Sequence, residues 1–236
     1  MTIDRVDKQV AANPKPKTPE DFTREETYRL TRLPVELAST LLPEAYTSPE
    51  FFDIEKERVF AKSWIPVGFV SQVREPGRTI VAEVAGRSII IARDKSGKLR
   101  AFHNVCRHRA ARLLDEGCHV VRNNRIRCPY HSWTYDLEGK CLGTPLFEGS
   151  DIPEEGRTAF DMSGVKGFDK ADYGLLPVRV DSWGFLVFVN LDPETIPLKK
   201  YLGDLPERFS SYQLEEWRVV RQKTYDIAAN YKLIGE

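Results

Sequence analysis

Cys106-Arg107-His108-Arg109-Ala110-Ala111-Arg112-Leu113-Leu114 and Cys128-Pro129-Tyr130-His131, with residues 115–127 between them, decide how this chain is read. Each run contributes one Cys and one His, in the same order. Residues two apart on an extended loop share a side, so Cys106 and His108 can face one site. Cys128 and His131 can face it from a second loop. Two thiolates and two imidazoles form a soft-to-borderline donor set, which suits zinc or an iron–sulfur cluster and does not suit calcium or magnesium. A zinc ribbon usually repeats Cys-x2-Cys knuckles. One Cys and one His per loop fits instead a two-iron centre, with Cys106 and Cys128 on one iron and His108 and His131 on the other. Exchanging two thiolates for neutral imidazoles takes the oxidised cluster from roughly −2 to roughly zero formal charge, which eases uptake of an electron.

The residues around these four extend the pattern. The first run, and Cys128 to His131 continued by Ser132-Trp133-Thr134-Tyr135-Asp136-Leu137-Glu138-Gly139-Lys140, resemble the Rieske cluster loops of ring-hydroxylating (Rieske non-haem iron) oxygenase large subunits. The resemblance implies a [2Fe–2S] cluster held by Cys106, His108, Cys128 and His131. It also implies a mainly β fold, a Rieske-type antiparallel β domain with flanking helices, followed by the start of an α+β catalytic domain. Two departures stand out. Ala110 occupies a position where the family usually has Gly, which matters if the backbone there is left-handed. The gap between the loops is also longer than the family's commonest spacing. The alternatives are a structural zinc domain and a stand-alone Rieske electron-transfer protein.

Length and composition fit this reading. The chain has 236 residues, 41% hydrophobic and 30% charged, enough for a sizeable core. Lys+Arg and Asp+Glu are both 35, so no global field recruits nucleic acid or an anionic membrane surface. The N-terminal residues lack an apolar signal segment and no apolar run is long enough for a bilayer, which predicts a cytoplasmic protein without a membrane partner. Cys118 and Cys141 are expected to be thiols in a reducing compartment.

Three segments are expected along the chain. Residues 1–44, interrupted by Pro14, Pro16, Pro19 and Pro34, read as a polar arm or strap without chemistry. Residues 45–172 form the cluster domain. Ser48-Pro49-Glu50 announces a helix start, with Phe52, Val59, Phe60 and Trp64 expected near one helix face. From Trp64 the period becomes two: Trp64 to Val70, Thr79 to Val84, Ser88 to Ala92 and Leu99 to Asn104 read as strands of antiparallel hairpins. Both ligand loops are expected at hairpin tips, the second between Arg125–Cys128 and Ser132–Leu137. Trp133 and Tyr135 are expected to pack beside the cluster. His103, Cys118 and His119 lack paired spacing and are read as structural. Arg107, Arg109, Arg112, Arg122, Arg125 and Arg127 suggest a local positive patch for an acidic redox partner or a neighbouring subunit's carboxylates. Residues 143–172 read as loop.

Residues 173–236 read as the beginning of a catalytic domain. Leu175–Val180 and Trp183–Asn190 are predicted strands joined at Asp181-Ser182. Leu198, Tyr201, Leu202 and Leu205 suggest one helix opened by Pro197. Arg218 to Tyr225 suggests a strand, and a helix is expected to begin near Ile227–Ile234. Ala229-Asn230-Tyr231-Lys232-Leu233-Ile234-Gly235-Glu236 resembles the Asn-Trp-Lys-x-x-x-Glu helix that opens the family's catalytic domain. There the iron-binding residues follow further on, and no His occurs after His131, so this portion alone is expected not to be catalytically competent. The resemblance implies reduction by a ferredoxin or a flavin/iron–sulfur reductase and one-electron transfer to a mononuclear Fe(II), which activates O2 to hydroxylate or oxidatively demethylate a small-molecule substrate. It further implies a homo-oligomer, a trimer in the family's usual form, with electrons leaving through His108 or His131 to a neighbouring subunit. The wording around the motifs is mildly similar to the choline monooxygenase and betaine demethylase branch.

Overall fold

The structure, a computed structural model, describes residues 16, 18–145, 147 and 165–235. The strands are β1 (Ile65–Phe69), β2 (Arg78–Val84), β3 (Arg87–Arg93), β4 (Leu99–His103), β5 (Gly117–Val120), β6 (Arg125–Arg127), β7 (Thr134–Asp136), β8 (Cys141–Gly143), β9 (Pro177–Trp183) and β10 (Leu186–Asn190). The helices are short: α1 (Glu44–Thr47), α2 (Pro49–Arg58), α3 (Leu198–Tyr201), α4 (Leu205–Arg208) and α5 (Lys232–Gly235). The chain separates into two compact units, Val59–Gln222 and a smaller one joining Met1–Arg58 to Lys223–Glu236. The fold is mainly β and antiparallel with flanking helices, as the sequence predicts.

The larger unit is built on a seven-stranded sheet in the order β1-β10-β9-β4-β3-β2-β5. Strand β3 shows why its residues make a central strand. Ile89, Ile90, Ile91 and Ala92 are all fully buried, yet successive side chains point to opposite faces. Ile90 and Ala92 join Val81 and Phe102 on one face, whereas Ile89 and Ile91 join Ile80, Ala101, Val187 and Val189 on the other. The first face packs against the three-stranded sheet β6-β7-β8 and both cysteine-bearing loops. The sheet also continues across residue 172, because β9 pairs with β4 through Ala101↔Val178 and Phe102↔Pro177.

Several local expectations are corrected. The β9–β10 turn falls at Gly184-Phe185, between the paired Trp183 and Leu186, and not at Asp181-Ser182. Gly184 has φ 56°, the left-handed conformation that a two-residue hairpin requires and that a side chain resists. The expected helix over Leu198–Leu205 breaks into α3 and α4 because Gly203 turns left-handed, φ 59°, between them. Arg218–Tyr225 is not a strand. Its residues are exposed and find no sheet edge among the described residues, so alternation alone forms no ladder. Residues 148–164, most of the stretch read as loop, lie outside the described residues.

In the smaller unit, Ser48 caps α2 by accepting the Phe51 N–H at 3.1 Å. The expected apolar face is wrong. Helix α2 stops at Arg58, so Val59, Phe60 and Trp64 lie beyond it, and Phe52 is exposed. The residues turned inward are Phe51, Ile54 and Glu55. Glu55 sets that orientation: its carboxylate accepts hydrogen bonds from Lys232 Nζ at 2.8 and 3.0 Å and from the Tyr231 hydroxyl at 2.7 Å. Burial and this carboxylate push the Tyr231 phenol up to about 12. Within the expected arm, Pro19–Thr23 and Glu25–Tyr28 form 3-10 turns, Thr27 and Leu30 are buried, and the Phe22 ring meets Phe51 edge-on at 4.8 Å. The arm is therefore packed around Phe22, Thr27 and Leu30, whereas residues 32–40 are exposed; residues 1–15 and 17 lie outside the described residues.

The β3–β4 turn gives a test of the framework. Asp94, 1% exposed, accepts from the Ser96 N–H and hydroxyl, the Lys98 N–H and Arg100 Nε at 2.6–2.9 Å. Burial works to raise its pKa, but these four donors outweigh it and hold the carboxyl at about 2. A folded-state pKa below the unfolded value stabilises above about pH 4, and that contribution is lost as pH falls through about 2. Asp94→Asn is expected to lower unfolding free energy by about 2 kcal/mol at pH 7, with the deficit shrinking at pH 3, measured by urea titration. An equal deficit at both pH values would contradict this account.

Candidate metal centre

The two loops share one backbone design. In the first, the Cys106 N–H donates to Ala111 O at 2.8 Å and the Ala110 N–H donates to Cys106 O at 3.0 Å. In the second, the Cys128 N–H donates to Trp133 O at 2.8 Å and the Ser132 N–H donates to Cys128 O at 3.1 Å. Each closure needs a left-handed residue four positions after the Cys, and Ala110 (φ 54°) and Ser132 (φ 63°) supply it. The Gly-to-Ala departure at residue 110 therefore falls where a Cβ is strained.

Only the second loop is a true hairpin tip, since Arg127 pairs with Thr134 across β6 and β7. The first joins β4 to β5, which pair with other strands and not with each other. Asn104 takes over the work of the missing ladder. Its Oδ1 accepts the Leu113 and Leu114 N–H groups at 3.1 and 3.0 Å, and its Nδ2 donates to Leu114 O at 2.6 Å and Ser88 Oγ at 3.0 Å. Sequence reasoning assigned Asn104 no role; a buried amide closing an apolar strand was the available sign.

The structure brings the four predicted residues together as two pairs. Cys106 and Cys128 are each 3% exposed, and the Cys128 thiol is near enough to act on that of Cys106. Burial pushes the Cys106 thiol up, as does Cys128, while the Tyr135 hydroxyl and the His108 amide pull it down. The His108 and His131 ring centroids are 4.8 Å apart. Burial first, then His131 and Arg109, lower the His108 pKa, which favours the neutral ring that metal ligation requires. Among the described residues no three His, Cys, Asp or Glu side chains converge on one point as a single ion demands. A thiol pair beside an imidazole pair is instead the donor arrangement for a cluster spread over two metals. His131 Nδ1 is buried and has no hydrogen-bond partner, which a metal bond would satisfy. These residues can thus hold a two-iron cluster.

Tyr135 and Trp133 shape the surroundings. The Tyr135 hydroxyl accepts the Arg107 N–H at 3.0 Å, which leaves its own proton for Cys106 Sγ at 3.3 Å. Burial and the Cys106 contact raise its pKa, so it remains a donor. Trp133 stacks on His108 at 5.0 Å and 8° between planes, and Phe147 meets both rings edge-on. Phe168 and Tyr173 close on Trp133 at 5.9 and 5.6 Å. The sequence reading missed these last three because they stand at the ends of a stretch without periodicity.

The remaining candidates lie elsewhere. His119 contacts Asp115 O at 2.8 Å, Cys118 is exposed and accepts from Gln72 Nε2 at 3.4 Å, and His103 sits half-buried on β4. Cys141 is a buried thiol on β8 opposite Tyr135. The arginines divide: Arg107, Arg109 and Arg112 accompany the first loop, and Arg122, Arg125 and Arg127 precede the second.

Comparison with known proteins agrees with this geometry. Residues 63–156 match the Rieske [2Fe–2S] domain family. The chain is 31% identical over 191 residues to the glycine betaine monooxygenase oxygenase subunit of Chromohalobacter salexigens, covering 81% of this chain and 39% of that one. It is 31% identical over 220 residues to the carnitine monooxygenase oxygenase subunit of Acinetobacter pittii, covering 92% and 52% respectively. The crystal structure of the apo form of the quaternary ammonium Rieske monooxygenase CntA superposes with a TM-score of 0.73 at 32% identity, over 84% of this chain and 53% of that chain. The chain thus spans between about two fifths and about half the length of these relatives.

The strained loop position is open to test. Ala110→Gly is expected to raise stability by about 0.5–1 kcal/mol, because relief of left-handed strain exceeds the added freedom of the unfolded chain. Thermal unfolding would read this, and a less stable glycine variant would contradict the strain.

Proposed function

Because this chain carries a Rieske [2Fe–2S] domain and shares its fold with Rieske oxygenase subunits, we propose that it is the electron-relay portion of an oxygenase, with Cys106, His108, Cys128 and His131 as the cluster ligands. The observation that carries the assignment is the pairing of two buried, neighbouring thiols with two adjacent imidazoles, one of which buries an unpartnered Nδ1. When bound, a cluster with two thiolate and two imidazole ligands accepts and releases one electron at moderate potential.

The chain's own residues prepare that site. Trp133, Tyr135, Ile126 and Leu137, each at most 2% exposed, keep water from the sulfur ligands. Tyr135 places a donor at Cys106 Sγ, which favours the more negative, reduced state. Trp133 holds the plane of His108, and either His108 or His131 serves as the electron exit.

For the whole protein the reading extends to a mononuclear Fe(II) bound by residues outside this chain, a ferredoxin or flavin/iron–sulfur reductase as donor, and a homo-oligomer, a trimer in the family's usual form, that passes electrons between subunits. The proposed reaction is O2-dependent hydroxylation or oxidative demethylation of a small organic substrate. The relatives' names favour a quaternary ammonium compound. The division into a cluster domain over 45–172 and the beginning of a catalytic domain over 173–236 belongs to the same proposal. So does a cytoplasmic location, which the thiols of Cys118 and Cys141 fit. Among the described residues no helix is long and apolar enough to cross a membrane.

Two measurements test the site. Cys128→Ser is expected to abolish the visible and electron paramagnetic resonance signals of the iron- and sulfide-loaded protein, whereas Cys141→Ser leaves them intact; the reverse pattern would overturn the ligand assignment. Zinc without iron or acid-labile sulfide would favour the zinc domain. Tyr135→Phe is expected to lower the midpoint potential by on the order of 50 mV, since one neutral hydrogen bond is worth about 1 kcal/mol and 59 mV corresponds to about 1.4 kcal/mol in a one-electron couple. An unchanged potential would mean that the hydroxyl does not act on the sulfur.

A further inference from the structure

Resting on the reading of His131 and its companions as cluster ligands, we propose that the groove formed by Arg122, Arg125 and Arg127 receives the acidic face of the electron-donating protein.

The groove arises from β-strand alternation. On β6, Ile126 is fully buried among the residues beneath the loops, so Arg125 and Arg127 on either side of it must point outward. Arg122 joins them from the turn just before the strand, whose Asn123 and Asn124 both take positive φ. The three arginines, with Ser132 and Thr134, line an open groove of roughly 510 Å³. None of the three forms an ion pair among the described residues, whereas Arg112 on the other loop has Glu116 at 4.0 Å. Three exposed guanidiniums, of which only Arg125 has a carboxylate opposite it, Asp136 on β7, create a local positive field on a chain whose formal net charge is zero.

Position ties this field to the proposed relay. Arg127 Nη2 donates to Ser132 Oγ at 2.8 Å, and Ser132 directly follows His131. A carboxylate-rich surface seated on the groove would therefore stand beside the loop that carries one imidazole and one thiol. The composition of the groove also selects the kind of partner. Permanent subunit interfaces have apolar cores, whereas encounters between redox proteins are small and charged. This groove is lined by arginine, asparagine, serine and threonine, with Pro145 as its apolar contributor. The step is a single-electron transfer in which the donor's reduced iron–sulfur centre is oxidised and the cluster of this chain is reduced, with no bond made or broken.

The test is stopped-flow reduction of the iron- and sulfide-loaded protein by a dithionite-reduced, acidic plant-type [2Fe–2S] ferredoxin across a range of salt concentrations. Native protein is expected to react fast at low salt and progressively slower as salt screens the groove. Arg122→Gln/Arg125→Gln/Arg127→Gln is expected to react at least about tenfold more slowly at low salt and with a flattened salt dependence. Arg125→Glu alone, which leaves the other two arginines in place, should slow the reaction in the same direction. Lys199→Gln/Lys200→Gln/Arg221→Gln, the same change of charge elsewhere, should keep the native rate. Reduction by dithionite alone should be equal in all four proteins. A triple variant with native rate and salt dependence overturns the proposal. So does one slowed equally toward dithionite, or one whose slower rate follows a change of oligomeric state in sedimentation, which would assign the groove to a neighbouring subunit. Absence of the cluster spectrum from native protein before ferredoxin is added would instead mark failure of the ligand reading.

Discussion

The Tyr135 hydroxyl joins two parts of the larger unit that no ladder connects. It sits on the middle strand of the small sheet, yet it accepts the Arg107 N–H and faces Cys106 Sγ in a loop that belongs to the large sheet. One oxygen thereby fixes the position of the first loop relative to the second. A phenol fully excluded from water must be hydrogen-bonded, so the sheets cannot slide without leaving it and the Arg107 amide unpaired. The closeness of the two thiols follows from this constraint as much as from the loops themselves.

The loops are held still by packing from below and hydrogen bonding from the side. Ile90, Ala92 and Phe102 on the large sheet press against Ile126, Trp133, Tyr135 and Leu137. Phe102 in turn fills the space over Gly139, where any Cβ would overlap its ring, so the β7–β8 turn rests directly on β4. Asn104 then gathers the exit of the first loop back onto β3 through Ser88. Support of this kind suits the proposed electron relay, since side chains held on several sides leave little structure to reorganise.

The smaller unit rests on a buried charge. Glu55 on α2 receives Lys232 and Tyr231, and Asn230 donates to Tyr46 O at 3.1 Å. Removing one member of such a pair strands the other away from water and costs about 3–5 kcal/mol. Lys232 Nζ also stands over the Phe51 and Tyr231 rings at 5.0 and 4.7 Å, which adds cation–π attraction. The Asn-Tyr-Lys motif thus binds segments far apart in sequence, and this explains why the inward face of α2 carries a carboxylate where its apolar spacing suggested aromatics.

The sequence by itself determined what repeats locally. Strands with period two, the helix start at Ser48, and two runs each pairing a Cys with a His are short-range patterns, and the backbone obeys them wherever neighbours do not intervene. Tertiary structure decided what depends on distant partners. The site of the β9–β10 turn went to Gly184 because a hairpin needs left-handed backbone, and Arg218–Tyr225 formed no strand because a ladder needs a second edge. The aromatic wall of Phe147, Phe168 and Tyr173 lies at the ends of an aperiodic stretch, so no spacing in sequence announces that it closes around Trp133. Polar side chains were the least legible of all. Glu55 and Asn104 are placed by several hydrogen bonds each from distant parts of the chain, and a hydrogen bond leaves no period in the sequence.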